Sequence, residues 1–259
     1  LAWEYGEEHP VVDLSLFAHR NFVIGSLMIS LLYLCFVLAT VLYPIWLQTT
    51  MGYTATWAGL VMAPFGIAPI ILMPLVGQRM RQWDARPTVM FGIFVFAGAY
   101  VLHAQNNSDT TAGFIAGTRL LMGTAMPFAW MPLMVLALVG LPAEKMASAT
   151  GIFNFVRMLA SSMGTAAGVT LWDQRTIYHR SSLAETISPD APNYQQTMEM
   201  LSQRLPNPEA ALAALDQAVS VEARTLALND IFYLSILIVL PLAAVAWLLP
   251  SHSNEEPAA

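Results

Sequence analysis

The chain alternates long apolar stretches with short polar breaks, and the apolar stretches dominate. Six stand out, at roughly 22–47, 57–77, 88–105, 112–139, 146–172 and 230–249. Each can carry about 20 helical residues across a hydrocarbon layer about 30 Å thick. Apolar–polar alternation in ten-residue blocks, the mark of a membrane β-barrel, is missing. The pattern predicts an all-α membrane protein, a bundle of six transmembrane helices.

Composition says the same in another way. Of 259 residues, 56% are hydrophobic and only 11% are charged, against about 25% charged in soluble domains. Within the six stretches the charged residues are Arg119, Arg157 and Asp230, and Asp230 sits at an edge. A net charge of −6 lacks the clustered cations that nucleic acid demands. Cys35 is the only cysteine, which excludes an internal disulfide and a cysteine metal cluster. The five histidines have no ligand spacing, and HExxH, GxSxG and Walker A patterns are absent. No enzyme, metal site or cofactor is expected.

Basic residues in short connections set the orientation. Arg20 precedes the first span, Arg79, Arg81 and Arg86 follow the second, and Lys145 follows the fourth. The connections 48–56 and 106–111 carry no lysine or arginine. Both termini are therefore expected in the cytoplasm. The chain divides into a cytoplasmic lead-in (1–21), helices one to five (22–172), an external segment (173–229), helix six (230–249) and a cytoplasmic tail (250–259). Residue 1 is leucine and no signal peptide precedes the first span, so the chain reads as a fragment or a mature piece.

The external segment has weak amphipathic patterning at 193–205. Asn207-Pro208-Glu209 reads as an N-cap, a proline at N1 and an acid in the first turn. A helix over 210–219 is expected to follow, with Ser220 capping a longer helix that runs into the last span. The segment is either a packed lid or a docking surface for an extracytoplasmic partner.

Arginine at the centre of a span costs about 2.5–3.5 kcal/mol and normally faces protein or a wet cavity. Arg157 lies too deep to snorkel comfortably. Its helix face reads Asn154, Arg157, Ser161, Gly164 and Gly168, a small and polar stripe suited to close helix packing. This stripe is either a structural seam or a substrate-contacting and gating element. The fourth span carries Arg119, Met122, Met126, Trp130 and Met134 on one face. Methionine and tryptophan form a surface that can repack around varied apolar shapes. Ordinary packing and a drug-binding cavity both fit this face, and Arg119 could snorkel or hold an anionic group.

Prolines 44, 64, 69, 74, 127, 132 and 241 fall within spans. Three in the second span, with Gly59, Gly66 and Gly77, predict a helix built to curve, as expected around the cavity of an alternating-access carrier. Asp, Glu and Lys are absent from the depths of these spans. A proton-coupled carrier needs such a group, so any coupling site must lie elsewhere.

Three runs resemble the EmrB/QacA-type drug:proton antiporters of the major facilitator superfamily. They are Tyr53-Thr54-Ala55-Thr56-Trp57-Ala58-Gly59-Leu60, Val12-Asp13-Leu14-Ser15-Leu16-Phe17 followed by Arg20-Asn21-Phe22, and Asn154-Phe155-x-Arg157-x-Leu159-Ala160-x-x-x-Gly164-Thr165. The resemblance covers nearly the whole chain. It implies the C-terminal bundle of a fourteen-span inner-membrane protein, with the proton as coupling ion and the coupling carboxylate in a missing N-terminal half. It would place Tyr33, Tyr43, Arg119, Met126 and Trp130 near substrate, and the helix of Arg157 against the opposite bundle. The 78–87 loop occupies the place of a cytoplasmic gating motif, but only Gly77, Asp84 and Arg86 match it. A periplasmic adaptor and an outer-membrane channel are implied partners, besides lipophilic drugs and the bilayer.

The expected function is multidrug efflux by alternating access. The alternatives are a carrier for a single metabolite or siderophore, and an inactive membrane fragment.

Overall fold

The computed structural model describes residues 14–80, 82–187 and 192–249. Most of the lead-in, Arg81 and the tail from 250 onward lie outside the described residues. Those described form eight α-helices with three short 3-10 turns and no strand. In order they are α1 (Arg20–Thr49), α2 (Ala55–Met62), α3 (Pro64–Arg79), α4 (Ala85–His103), α5 (Ala112–Leu138), α6 (Met146–Thr186), α7 (Pro192–Arg204) and α8 (Pro208–Val245).

The helix starts are written locally. Thr54, Thr111 and Asn207 cap α2, α5 and α8, their side chains accepting backbone N–H groups three residues on. Asp84 caps α4 through the Arg86 amide at 3.0 Å. Each cap satisfies a donor that the first helical turn leaves unpaired.

The second span is made of two helices. It breaks at Ala63 into α2 and α3, with Pro64 opening α3. Proline has no N–H to continue the ladder and its ring crowds the preceding turn.

By length and composition, five helical stretches can cross a membrane: α1, α2 with α3, α4, α5, and α8 with its terminal turn. The remaining expected span, 146–172, lies within α6. At 41 residues α6 is long enough, but Asn154, Arg157, Ser161, Ser162 and Thr165 dilute its apolar character. It nevertheless packs into the bundle against α1 and α8.

α1 runs through the middle, touching α5, α6 and α8; α4 joins α5 to α8, and α3 lies on α5. Small residues allow the close crossings. A Cβ on Gly92 would sit 2.5 Å from the Ala129 amide nitrogen, and one on Gly123 would sit 2.2 Å from the Phe65 carbonyl oxygen. The core is dominated by Phe22, Leu32, Leu42, Trp46, Phe96, Tyr100 and Phe232, all fully buried.

The 173–229 segment holds the end of α6, then α7 and the first half of α8. Asn207 caps α8 as its sequence foretells, accepting from the Ala210 amide at 2.7 Å. Ser220 caps nothing, because α8 runs unbroken from Pro208 to Val245. Residues 210–230 are rich in Ala and Leu and contain no Gly or Pro, so no local signal interrupts the helix. Trp172 donates its indole N–H to the Arg224 carbonyl at 3.0 Å, and Arg224 donates to the Thr49 carbonyl at 3.3 Å. These bonds tie the C-terminal end of α1 to the middle of α8, and α8 to α6.

Candidate functional site

Aromatic residues from four helices converge on a half-buried wall. Tyr33 and Phe36 stand one turn apart on α1, their rings 5.5 Å between centroids. Trp130 of α5 meets Tyr33 edge-on at 6.2 Å, Phe36 at 5.9 Å and Phe96 of α4 at 5.4 Å. Phe65 of α3 stacks on Phe36 at 5.4 Å. Offset and edge-to-face geometries of this kind add about 0.5–1.5 kcal/mol per pair beyond the area buried.

One cation joins the wall. The Arg157 guanidinium lies 4.8 Å from the Tyr33 ring centroid, inside cation–π range. Nε of Arg157 and the indole nitrogen of Trp130 are buried without a hydrogen-bond partner among the described residues. The wall can offer flat, polarizable surface, one fixed positive charge and a small number of donors. Met126 and Met134, half-buried on α5, stand one turn to either side of Trp130 and carry flexible thioethers.

Tyr43, Arg119 and Met122 are not part of this wall. All three are closed inside the bundle, with Arg119 only 1% exposed. Arg119 donates to the Ala39 carbonyl at 3.1 Å and to the Met122 sulfur at 3.6 Å, with its guanidinium 4.2 Å over the Tyr43 ring. It therefore neither snorkels nor faces an open cavity. Its face of α5 turns inward onto α1, where a backbone carbonyl and an aromatic ring take the place of a carboxylate. Tyr43 in turn donates to Asn106 at 3.0 Å, and Asn229 of α8 donates to the Asn106 carbonyl at 2.7 Å. These residues form a polar network within the bundle.

The stripe on α6 divides as well. Gly164 and Gly168 lie against α1: a Cβ at Gly164 would sit 2.9 Å from the Leu34 carbonyl oxygen, and one at Gly168 would sit 2.4 Å from Leu38 Cδ2. Half-buried Asn154 donates to the Thr150 carbonyl of its own helix at 2.9 Å. The Ser161 carbonyl accepts the Thr165 hydroxyl at 3.1 Å. Of the stripe, only Arg157 reaches the aromatic wall.

Phe36, Phe65 and Phe96 complete the wall and are not singled out by sequence. The signal available for Phe36 is its i,i+3 relation to Tyr33. Phe65 and Phe96 become neighbours only through packing. In the 78–87 loop, Asp84 serves as the α4 cap, while Arg79 and Arg86 lie over the rings of Trp83 and Trp247 at 5.6 and 6.0 Å.

Residues 4–165 match the Major Facilitator Superfamily. The chain belongs to that superfamily.

Relatives within the Major Facilitator Superfamily extend the match. Multidrug export protein EmrB of Escherichia coli K12 is 37% identical over 248 residues, covering 95% of this chain and 48% of that protein. EmrB of Haemophilus influenzae is 37% identical over 246 residues, with the same coverage. Fatty acid resistance protein FarB of Neisseria gonorrhoeae is 31% identical over 256 residues, covering 98% of this chain and 50% of FarB. The chain thus spans about half the length of these relatives. Superfamily membership and the apolar helices together make it a multi-pass membrane protein. Superfamily members are transporters rather than enzymes as a class.

Proposed function

We propose that this chain is the C-terminal bundle of a proton-driven multidrug exporter that moves lipophilic drugs by alternating access. The observation that carries the reading is similarity to multidrug export proteins along 95% of the chain. The aromatic wall agrees with it. Polarizable, half-buried surface with few fixed polar groups accepts varied apolar shapes.

In this reading Tyr33, Trp130 and Met126 contact drug, and Arg157 contributes charge at the rim of the wall. Arg119, Tyr43 and Met122 hold α1 to α5 so that the wall keeps its shape. The glycines of α6 let that helix lie close to α1 and present Arg157. The coupling acid belongs to the other half of the polypeptide. The protein lies in the inner membrane with both termini cytoplasmic. The helical 173–229 segment faces outward, where a periplasmic adaptor leading to an outer-membrane channel docks.

Expression of the full-length polypeptide in a drug-sensitive bacterium tests the proposal. Resistance to several unrelated lipophilic drugs is expected, and its loss in Trp130→Ala at unchanged membrane abundance. Protection confined to one compound contradicts multidrug export.

A further inference from the structure

A second feature lies away from the aromatic wall, between α6 and α8. A groove of about 310 Å³ is lined by Leu171, Arg175, Asp230, Tyr233, Leu234 and Leu237, together with Ile231. Its two ends differ in chemistry. At one end Arg175 places both Nε and Nη2 at 2.6 Å from Asp230 Oδ2, and His179 Nε2 meets the same oxygen at 2.6 Å. At the other end Leu171 precedes Arg175 by one turn, and Leu234 and Leu237 follow Asp230 by one and two. The helices run in opposite directions, so all three leucines lie on the same side of the charged pair, about 6–10 Å along the helix axes.

Aromatic residues mark the depth. Tyr233 is 53% exposed and Tyr178 is 57% exposed, and Arg175 lies 4.9 Å over the Tyr178 ring. Exposed tyrosines flanking an apolar span belong to the interfacial belt, at the level of the lipid headgroups. The leucine floor then falls in the hydrocarbon, where Leu237 is 72% exposed.

The charged end keeps unused hydrogen-bonding capacity. The hydrogen bonds to Asp230 fall on Oδ2, leaving Oδ1 to accept, and Arg175 retains the N–H groups of Nη1. Both side chains are accessible, at 44% for Arg175 and 30% for Asp230. A guanidinium suits a phosphate, and a carboxylate oxygen suits an ammonium that carries N–H. The pair is neutral overall, which favours a zwitterion over an anion. We infer that this groove binds a phospholipid whose headgroup pairs a phosphate with a primary amine, one acyl chain lying on Leu171, Leu234 and Leu237. The inference rests on the membrane spans and not on drug export, so the two readings fail separately.

Native mass spectrometry of the full-length polypeptide in detergent tests it. The protein is offered equal amounts of phosphatidylethanolamine, phosphatidylcholine and phosphatidylglycerol with the same acyl chains. Phosphatidylethanolamine is expected to be retained over phosphatidylcholine by roughly tenfold, the equivalent of one charge-assisted hydrogen bond. Asp230→Asn is expected to remove most of that preference. Leu237→Trp, at an exposed position outside the core, fills the floor and lowers retention of all three lipids. Asp216→Asn breaks the exposed Arg180–Asp216 pair between the same helices and leaves lipid retention unchanged. Equal retention of the three lipids by the parent protein overturns the inference. So does undiminished phosphatidylethanolamine retention in Leu237→Trp, which decides the matter if Asp230→Asn does not fold.

Discussion

Arg157 on α6 and Tyr33 on α1 meet as cation and ring, 4.8 Å from guanidinium carbon to ring centroid. Few charged groups enter the apolar part of this bundle, and this one is held at the edge of the aromatic wall. The contact supplies the charge with a favourable partner while leaving it half-buried, which suits a role beyond packing.

Arg157→Ala is accordingly expected to reduce transport more than it reduces folding yield. Arg157→Lys should restore part of the flux, since an ammonium keeps the charge but loses the planar face. Tyr33→Phe, which keeps the ring, should stay close to the parent, whereas Tyr33→Leu should resemble Arg157→Ala. Flux in proteoliposomes against monodisperse yield in detergent separates the two effects. Equal loss of flux and yield in Arg157→Ala leaves only a structural seam.

The buried counterpart behaves differently. Tyr43→Leu strips the ring from beneath Arg119 and leaves a cation inside the bundle with one carbonyl and a sulfur. Cation–π contacts in desolvated sites contribute about 2 kcal/mol, so a clear fall in thermal midpoint is expected. Removing the charge as well relieves the problem, because a buried charge without its partner is the costly state. Arg119→Met combined with Tyr43→Leu should therefore melt higher than Tyr43→Leu alone. Additive losses in the double variant contradict this account of the pair.

Two glycines of α6 give opposite signs. Gly164→Ala forces a methyl against the Leu34 carbonyl oxygen at 2.9 Å, a backbone atom that cannot swing aside; Gly151 has open space around it. Thermal midpoint should fall for Gly164→Ala. For Gly151→Ala it should hold or rise, since Ala gains up to about 1 kcal/mol of helix propensity over Gly. A common direction for both would remove the close α1–α6 contact from the explanation.

Asn207→Ala should cost about 1 kcal/mol of local helix stability. Hydrogen exchange should quicken at the first amides of α8 and remain unchanged beyond Ser220. An independent jump in exchange at 220 would instead favour two helices there.

Much of the fold can be read from the sequence, because apolar stretches of bilayer length fix both the class and most of the spans. The caps at Thr54, Asp84, Thr111 and Asn207 are local and legible in the same way. Helix α6 is harder: Asn154, Arg157, Ser161 and Ser162 lower its hydropathy, while Ile152, Phe153, Ala160, Gly164 and Gly168 are buried in the bundle, so hydropathy understates a helix that packing secures. The division of the second span at Ala63 is legible from Pro64, which has no N–H to continue the ladder. The site was legible in part. Tyr33, Trp130 and Arg157 do meet on one wall. Periodicity alone could not tell that Arg119 and Met122, on the same stripe as Trp130, turn into the bundle. That depends on how α5 is rotated against α1, which long-range contacts decide.

The most direct measurement is drug flux by the full-length polypeptide in proteoliposomes, with and without an imposed pH gradient. Lipophilic drugs should move against their own gradient when the pH gradient is present, stop when it is collapsed, and move much less in Arg157→Ala. Flux indifferent to the pH gradient, or absent with it, contradicts the assignment of this chain to a proton-driven drug exporter.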